Sequence, residues 1–532
     1  MAPFGARLAN YREYHEVERG LTQPYAAQNP KSIAAFMNPT PRALLPLTGP
    51  LPAFNATATR RLEARYADAG IQPSLLMERA GLSAARLARA LVPAARRVSV
   101  LCGPGNNGGD GWVAAWHLHR WGVPVTAHAI GGASRTPDHR AALERARAAG
   151  LTISTALQPI TDADLVLDAL LGIGLRAQPH GELADCLHAL GQHPARKLAL
   201  DVPSGLDGDT GQDWGAASCT DTLSFLSAKP GLFTGAGRAC AGRIWLDELG
   251  VSCGHERPVA ELAGHSLMAE WRLLSPRARA SHATHKGRQG DLWVLGGAMP
   301  GAALLAARAG LLAGAGRVYL DGRAGEDGVH PELIVRPLPA EGPNEGAILV
   351  AGCGWGLGME SRLDQALETA PRLVLDADGL NALAASPKLQ AGLRLRASRN
   401  AHTILTPHPL EAARLLRISV AEVQADRLRW AQELAQRLAC TVLLKGSGTL
   451  AAHPGRYPLI NTTGHGALAS AGTGDVLAGW LGGLWAQAPT AEPQRLAALA
   501  AFWHGLAAEA LPEGSAPAPA SQLVQLMHQL HP

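Results

Sequence analysis

At 532 residues, with 47% hydrophobic and 17% charged residues, the chain has room for two or three globular domains. That balance excludes a fibrous or wholly disordered protein. A net charge of +4 spread over scattered arginines argues against a nucleic-acid partner.

Residues 1–50 carry several prolines and no long periodicity, and are expected to form an unstructured tail. Residues 51–254 alternate amphipathic helices with short apolar strands. RRLEARYADAG (60–70) and PSLLMERAGLSAARLARALV (73–92) read as helices. RVSVLCG (97–103), PVTAHAI (124–130), ADLVLDALLG (163–172), KLALDVPSG (197–205) and DTLSFLS (221–227) read as buried strands. Such a βαβ rhythm predicts a Rossmann-like, three-layer α/β domain with ligands at the carboxyl ends of its strands.

The rhythm breaks over residues 255–284, taken as a linker, and resumes over 285–532 as a second α/β domain. DLWVLGGA (291–298), RVYLDG (317–322), ELIVRPL (332–338), AILVAGCG (347–354), RLVLDADG (372–379), HTILTPH (402–408) and TVLLKGSG (441–448) are its predicted strands. GAALLAARAGLLAGAG (301–316) is too short and too glycine-rich to span a bilayer, and reads as a small-residue helix packed in a core. No membrane partner is expected. Seven dispersed cysteines, with no CxxC unit, read as buried thiols of a cytoplasmic protein. No internal repeat is evident between the halves.

In the first half, LCGPGNNGGDGW (101–112) ends a strand and opens a helix. Its glycines let backbone amides approach an anionic ligand, and the helix start adds a favourable dipole. It is not a GxGxxG dinucleotide fingerprint. Asp168 and Asp201 lie at the ends of two further strands, and three such ends converge on one sheet edge. Asn107, Asp168 and Ser204 supply oxygen donors for a hard cation, with too little charge for Ca2+ and enough for a monovalent ion.

These segments, GPGNNGGDG, DALLGIG, DVPSGLDGDTG and AKPGL (228–232), with MERAG (77–81) as entry helix, resemble the epimerase domain of the NAD(P)H-hydrate repair enzymes. The resemblance implies that Asn106, Asn107, Gly108, Gly109 and Asp110 contact the hydrated dinucleotide. It extends this contact to Gly172, Ile173, Gly174, Leu175, Arg176, Ala177 and Gln178, and to Asp201. It implies K+ held by Asn107, Asp168 and Ser204, and interconversion of R and S hydrates at the nicotinamide C6. Asp201 is the expected proton carrier. Lys229 is the second candidate, or else a surface lysine before a turn.

In the second half, NTTGHGALASAGTGD (461–475) places GTGD at a helix start, where amides can cradle a phosphoryl group and Asp475 can take a hydroxyl proton. GGAMPG (296–301), GWGLG (354–358), VLDADGLNAL (374–383), TPHPLE (406–411) and KGSGT (445–449) precede it. In that order they resemble the ADP-dependent NAD(P)H-hydrate dehydratases, which have a ribokinase-like fold. The resemblance implies a hydrate site at Ala302, Gly358, His408 and the catalytic Asp475. It implies a nucleotide site at Lys445, Gly446, Ser447, Gly448, Thr449 and Gly474, with ADP accompanied by Mg2+. Asp376 and Asp378 read as caps of the following helix or as catalytic groups, and His408 as a site residue or a turn residue. Leu410 and Trp355 stand where the family has glycine and proline, and Trp355 is expected to add bulk near the site. NAD(P)H hydrates and ADP are the expected ligands, and a homo-oligomer the expected assembly. A small-molecule kinase and a non-enzymatic sensor are the rival readings. The NNGGD and DVPSG segments argue against the first, and retention of Asp201 and Asp475 against the second.

Overall fold

Leu165–Ala169 is apolar but for Asp168, and Ile348–Ala351 is apolar at every position, which suits parallel strands buried on both faces rather than strands with one wet side. In the computed structural model they lie at the centres of two sheets. The structure describes residues 41–68, 72–134, 136–154, 163–254, 256–275, 282, 285–321, 330–512 and 517–530.

The first half contributes β1 (Arg42–Ala43), β2 (Leu51–Ala53), β3 (Val98–Cys102), β4 (Val125–Ala129), β5 (Thr152–Ser154), β6 (Leu165–Ala169), β7 (Arg196–Leu200), β8 (Asp221–Phe225) and β9 (Arg243–Asp247). Their sheet runs β1-β9-β8-β7-β6-β3-β4-β5, parallel except for β1. Helices Pro73–Leu91, Asn106–Arg120 and Pro137–Ala148 cover one face, and Glu182–Gln192 the other. The six strands β3 to β8 thus stand in the order 3-2-1-4-5-6 across the sheet. That order reverses direction between β3 and β6, where a crevice opens beyond the strand ends. The expected three-layer α/β architecture is present.

The second half contributes β10 (Ala260–Leu262), β11 (Asp291–Leu295), β12 (Arg317–Asp321), β13 (Ile334–Val335), β14 (Ile348–Ala351), β15 (Arg372–Leu375), β16 (His402–Leu405), β17 (Thr441–Leu444), β18 (Leu450–Ala452) and β19 (Leu459–Ile460). Its sheet runs β13-β12-β11-β14-β15-β16-β17-β18-β19-β10-β2, with the reversal between β11 and β14. Helix Pro300–Ala313 buries Ala303, Ala306, Ala307 and Gly310, and packs on helix Thr473–Gln487. A Cβ on Gly310 would stand 2.0 Å from Leu292, so the small-residue sequence is what lets this helix approach the sheet. Among the described residues no helix is long and apolar enough to cross a membrane. The cysteines described are unpaired and, except for the half-buried Cys253, buried.

Two boundaries drawn from the sequence move. The tail expected over residues 1–50 ends earlier: residues 1–40 lie outside the described residues, but Arg42–Ala43 pairs with β9. Leu51–Ala53, assigned to the first domain, pairs with β10 of the second sheet. The linker expected over 255–284 contains β10 and helix Ser266–Leu274, both part of the second domain. These strands of two or three residues are too short to show a periodicity, and pairing with distant chain is what forms them. One apolar cluster also joins Leu44, Val202, Leu232 and Phe233 of the first half to Leu405, Leu444 and Leu450 of the second.

Candidate active sites

Loops leaving β3, β6, β7 and β8 build the first site. Gly103 follows β3 and its amide donates to the Ala169 carbonyl across the crevice (3.0 Å). The helix begins at Asn106, so NNGGD forms its first turn. Gly108 is required there, since a Cβ would lie 1.8 Å from the Gly103 carbonyl oxygen. MERAG serves packing: Met77 fills the space beside Gly109, and Gly81 faces Val113.

Asp168 is fully buried and accepts from the Ser204 amide (2.8 Å) and hydroxyl (2.5 Å). Burial pushes its carboxyl up, while the Ser204 bonds pull the other way. Among the described residues no lysine or arginine is within ion-pair distance of it. Asn107 keeps both amide atoms buried without a hydrogen-bond partner, beside Gly172, whose neighbour Leu171 donates to the Ser204 hydroxyl (2.8 Å). An unpaired buried carboxylate and an orphaned amide fit a monovalent cation, which would supply the missing charge and contacts.

Asp201 ends β7 with φ +69°, a left-handed conformation uncommon outside glycine. Its carboxylate accepts from the Ile173 amide (3.1 Å) and pairs with Lys229 (2.6 Å). Lys229 is fully buried, so it is not the surface lysine that its place before a proline allowed. Asp110 is pushed well above the usual carboxylate range, by burial first and then by the charges of Asp201 and Glu63. Glu63, on helix Ala56–Asp68, still reaches solvent, yet desolvation and then Asp201 raise its carboxyl too. The sequence reading missed Glu63, one acid among several on a charged helix. Gly174 and Arg176 to Gln178 form an exposed flank with half-buried Leu175, and exposed Asn106 accepts from Thr136 (2.7 Å).

The second site lies at the corresponding edge of the second sheet. Lys445, after β17, pairs with Asp376, after β15, at 2.6 Å. Burial opposes the Lys445 charge, but Asp376 and Glu411 outweigh it and hold its pKa above the ordinary lysine value. A Cβ on Gly474 would lie 3.4 Å from the Lys445 Nζ, which brings the GTGD turn onto the same pair. Asp475 sits in the first turn of helix Thr473–Gln487, raised by burial and then by the charge of Asp376. Gly352, Gly354, Gly356 and Gly358 all adopt positive φ, and a Cβ on Gly354 would meet Ala302 at 2.9 Å. The Gly356 amide donates to Asp378 (2.9 Å).

Two expectations change here, and His408 takes one of its two expected roles. Asp376 occupies the N-cap position without capping, because Lys445 takes its carboxylate. His408 does cap: its Nδ1 accepts from Leu410 (3.1 Å) and Glu411 (3.3 Å), so the turn role holds beside the site. Trp355 turns away from the crevice into the core, donating to the Leu295 carbonyl (2.8 Å). Glu411, buried under that cap, was overlooked. Burial pushes its carboxyl up to about 7 despite Lys445.

Cys353, Asp376 and Asp475 bring ligand atoms within 4.8 Å of one another. Burial holds the Cys353 thiol well above its normal range, and Lys445 already takes Asp376. A neutral thiol and a lysine-paired carboxylate do not suit a resident Mg2+, which wants several oxygens.

Residues 74–231 match the family described as YjeF-related protein N-terminus, and residues 292–529 the NAD(P)H-hydrate dehydratase family. The bifunctional NAD(P)H-hydrate repair enzyme Nnr of Escherichia coli K12 is 36% identical over 486 residues, 88% of this chain and 91% of that protein. The chain belongs to the bifunctional NAD(P)H-hydrate repair enzyme family. Another member, from Coxiella burnetii, is 36% identical over 473 residues, 85% of this chain and 93% of that protein. Among solved structures, the ADP/ATP-dependent NAD(P)H-hydrate dehydratase of Bacillus subtilis, co-crystallised with ATP/Mg2+, is 29% identical. It covers 49% of this chain and 95% of its own, with a TM-score of 0.41. In family terms, the crevice after β3 and β6 falls in the first matched segment, and the Lys445–Asp376 pair in the second.

Proposed function

We propose that the chain repairs hydrated nicotinamide dinucleotides, interconverting R and S NAD(P)H hydrates at the first site and dehydrating the S form at the second. In the dehydration, the C6 hydroxyl oxygen takes the terminal phosphoryl group of ADP, leaving AMP. Phosphate then departs, a ring proton is lost and NAD(P)H is restored. The observation that carries the reading is the placing of Asp475 on a glycine-lined helix start beside the Lys445–Asp376 pair. There a carboxylate accepts the hydroxyl proton, while amides and a lysine meet the phosphoryl charge.

At the first site, Asp201 and Asp110 divide the proton work. Asp110, pushed up by burial and neighbouring acids, keeps a proton to give, and Asp201, held by Lys229, accepts one. Asn107, Asp168 and Ser204 would hold K+, which would supply fixed positive charge to the site. Mg2+ is assigned to the incoming ADP. The test supplies mixed R and S NADPH hydrates with ADP, ATP or neither, and follows recovery of the reduced-nicotinamide absorbance. No recovery with either nucleotide overturns the dehydratase. Prompt recovery of only half the hydrate overturns the epimerase.

A further inference from the structure

The loop Lys445–Thr449 is held from the other half of the chain. Gly448 has φ +61°, and a Cβ there would lie 1.9 Å from the Phe233 carbonyl oxygen, so the two backbones touch with no room for a side chain. The Gly235 amide donates to the Ser447 carbonyl (3.3 Å). The Thr234 hydroxyl lies 3.3 Å and 3.4 Å from the carbonyl oxygens of Ser447 and Gly448. Arg427 completes the arrangement. Its Nε donates to the Thr234 hydroxyl (3.1 Å), and another of its nitrogens donates to the carbonyls of Lys445 (3.0 Å) and Leu444 (3.4 Å). This guanidinium is 1% exposed and has no carboxylate within ion-pair distance among the described residues. Burying such a charge is costly unless its donors are satisfied, and its satisfaction here comes from Gln424, the loop backbone and Thr234.

The same turn is also tied down on its first-domain side. The Gly231 amide donates to Gly208 (2.8 Å), and the Ala236 amide to Gly211 (2.9 Å), both in the DVPSGLDGDTG segment. A Cβ on Gly211 would lie 2.2 Å from the Thr234 carbonyl oxygen. Lys229, four residues before Phe233, carries the ion pair with Asp201.

We propose that the turn Phe233–Gly235 of the first domain is a positioning element of the nucleotide site, with Thr234 and Arg427 fixing the backbone of Lys445 to Gly448 for ADP. The proposal rests on the reading of Lys445–Thr449 as the nucleotide loop. The contacts that reach the loop end on its main chain, so the latch sets where the loop amides and carbonyls stand while touching no reacting atom. Loss of one member therefore weakens nucleotide binding and spares the chemical step.

The test uses the full-length protein with Thr234→Val, which keeps shape and removes the hydroxyl, and Thr234→Ser, which retains it. ADP binding is measured by calorimetry, KM for ADP and kcat with S hydrate, and epimerisation separately. Thr234→Val is expected to raise both the Kd and the KM for ADP on the order of 3- to 10-fold, the size of one lost hydrogen bond. Its kcat and epimerisation stay within about twofold, and Thr234→Ser matches the parent. Arg427→Lys raises the same constants, and its combination with Thr234→Val costs less than the two effects multiplied, because both act through one contact. Unchanged ADP constants in both Thr234→Val and Arg427→Lys overturn the latch, as does a fall confined to kcat. A parent enzyme that binds no ADP overturns the nucleotide-loop reading itself, a result separable from the first.

Discussion

The two sites stand on the same strand order and solve the same electrostatic problem differently. Each sheet reverses at its first strand, and in each a carboxylate after the fifth strand of the series pairs with a lysine from a later strand. The pairs are Asp201 with Lys229 and Asp376 with Lys445, both at 2.6 Å. Around Asp201 the neighbours are further acids, Asp110 and Glu63, each raised by burial and then by the charge of Asp201. Around Asp376 they are a row of positive-φ glycines and the GTGD turn. In the reading proposed above, the crowd of carboxyls serves proton transfer on one substrate and the glycine cradle serves a phosphoryl group. The shared scaffold decides where a site lies, and its loop residues decide the chemistry.

If the two carboxylates serve separate reactions, they are separable by substitution. Asp475→Asn is expected to lower ADP-dependent absorbance recovery at least about 10²-fold and leave epimerisation intact. Loss of both would merge the sites into one. Asp201→Asn reverses the pattern, with epimerisation falling on the order of 10²-fold while pure S hydrate is dehydrated at the parent rate. An unimpaired epimerase there would move the proton work to another group.

The second half carries a buried histidine that makes its stability depend on pH. His504, packed beneath the GTGD turn, has its ring nitrogen 3.1 Å from the Thr473 carbonyl. Burial lowers its pKa to about 4. The unfolded ring takes up a proton below its normal 6.5, and the folded ring does so only near 4, so stability is complete above 6.5 and is lost as pH falls toward 4. Urea unfolding should therefore lose about 2 kcal/mol from this residue between about pH 7 and pH 5. His504→Gln should lack that component, and an identical loss in the variant would assign it elsewhere. The smallest effect expected belongs to the first site. Replacing Na+ with saturating K+ should raise its melting temperature by about 2–4 °C. Asn107→Ala should remove that rise, and equal melting in the two salts would dismiss the cation.

Much of this was legible because apolar strand runs end where ligands sit. Asp168, Asp201 and Lys445 each follow such a run, and Asp475 opens a helix after a glycine turn, so sequence position alone placed them at the sheet edges. What it could not convey was direction and distance. Lys229 before a proline looks solvent-exposed until the fold wraps around it. Asp376 looks like a cap until the lysine just after β17, 69 residues later, claims it. Trp355 looks like an obstruction until its indole is seen turned into the core. Glu63 and Glu411 show no signal in sequence, since their carboxyls are perturbed by neighbours from other elements.

The strand Leu51–Ala53 sets a clock on biosynthesis. It is made early, yet it reaches the second sheet only through β10, which is itself anchored by Leu459–Ile460. At roughly 5–20 residues per second, the roughly 400 residues between take about 20–80 s to emerge from the ribosome. Until then the β10–β2 end of the second sheet has no inner neighbour to join, so this edge is completed from both ends of the sequence.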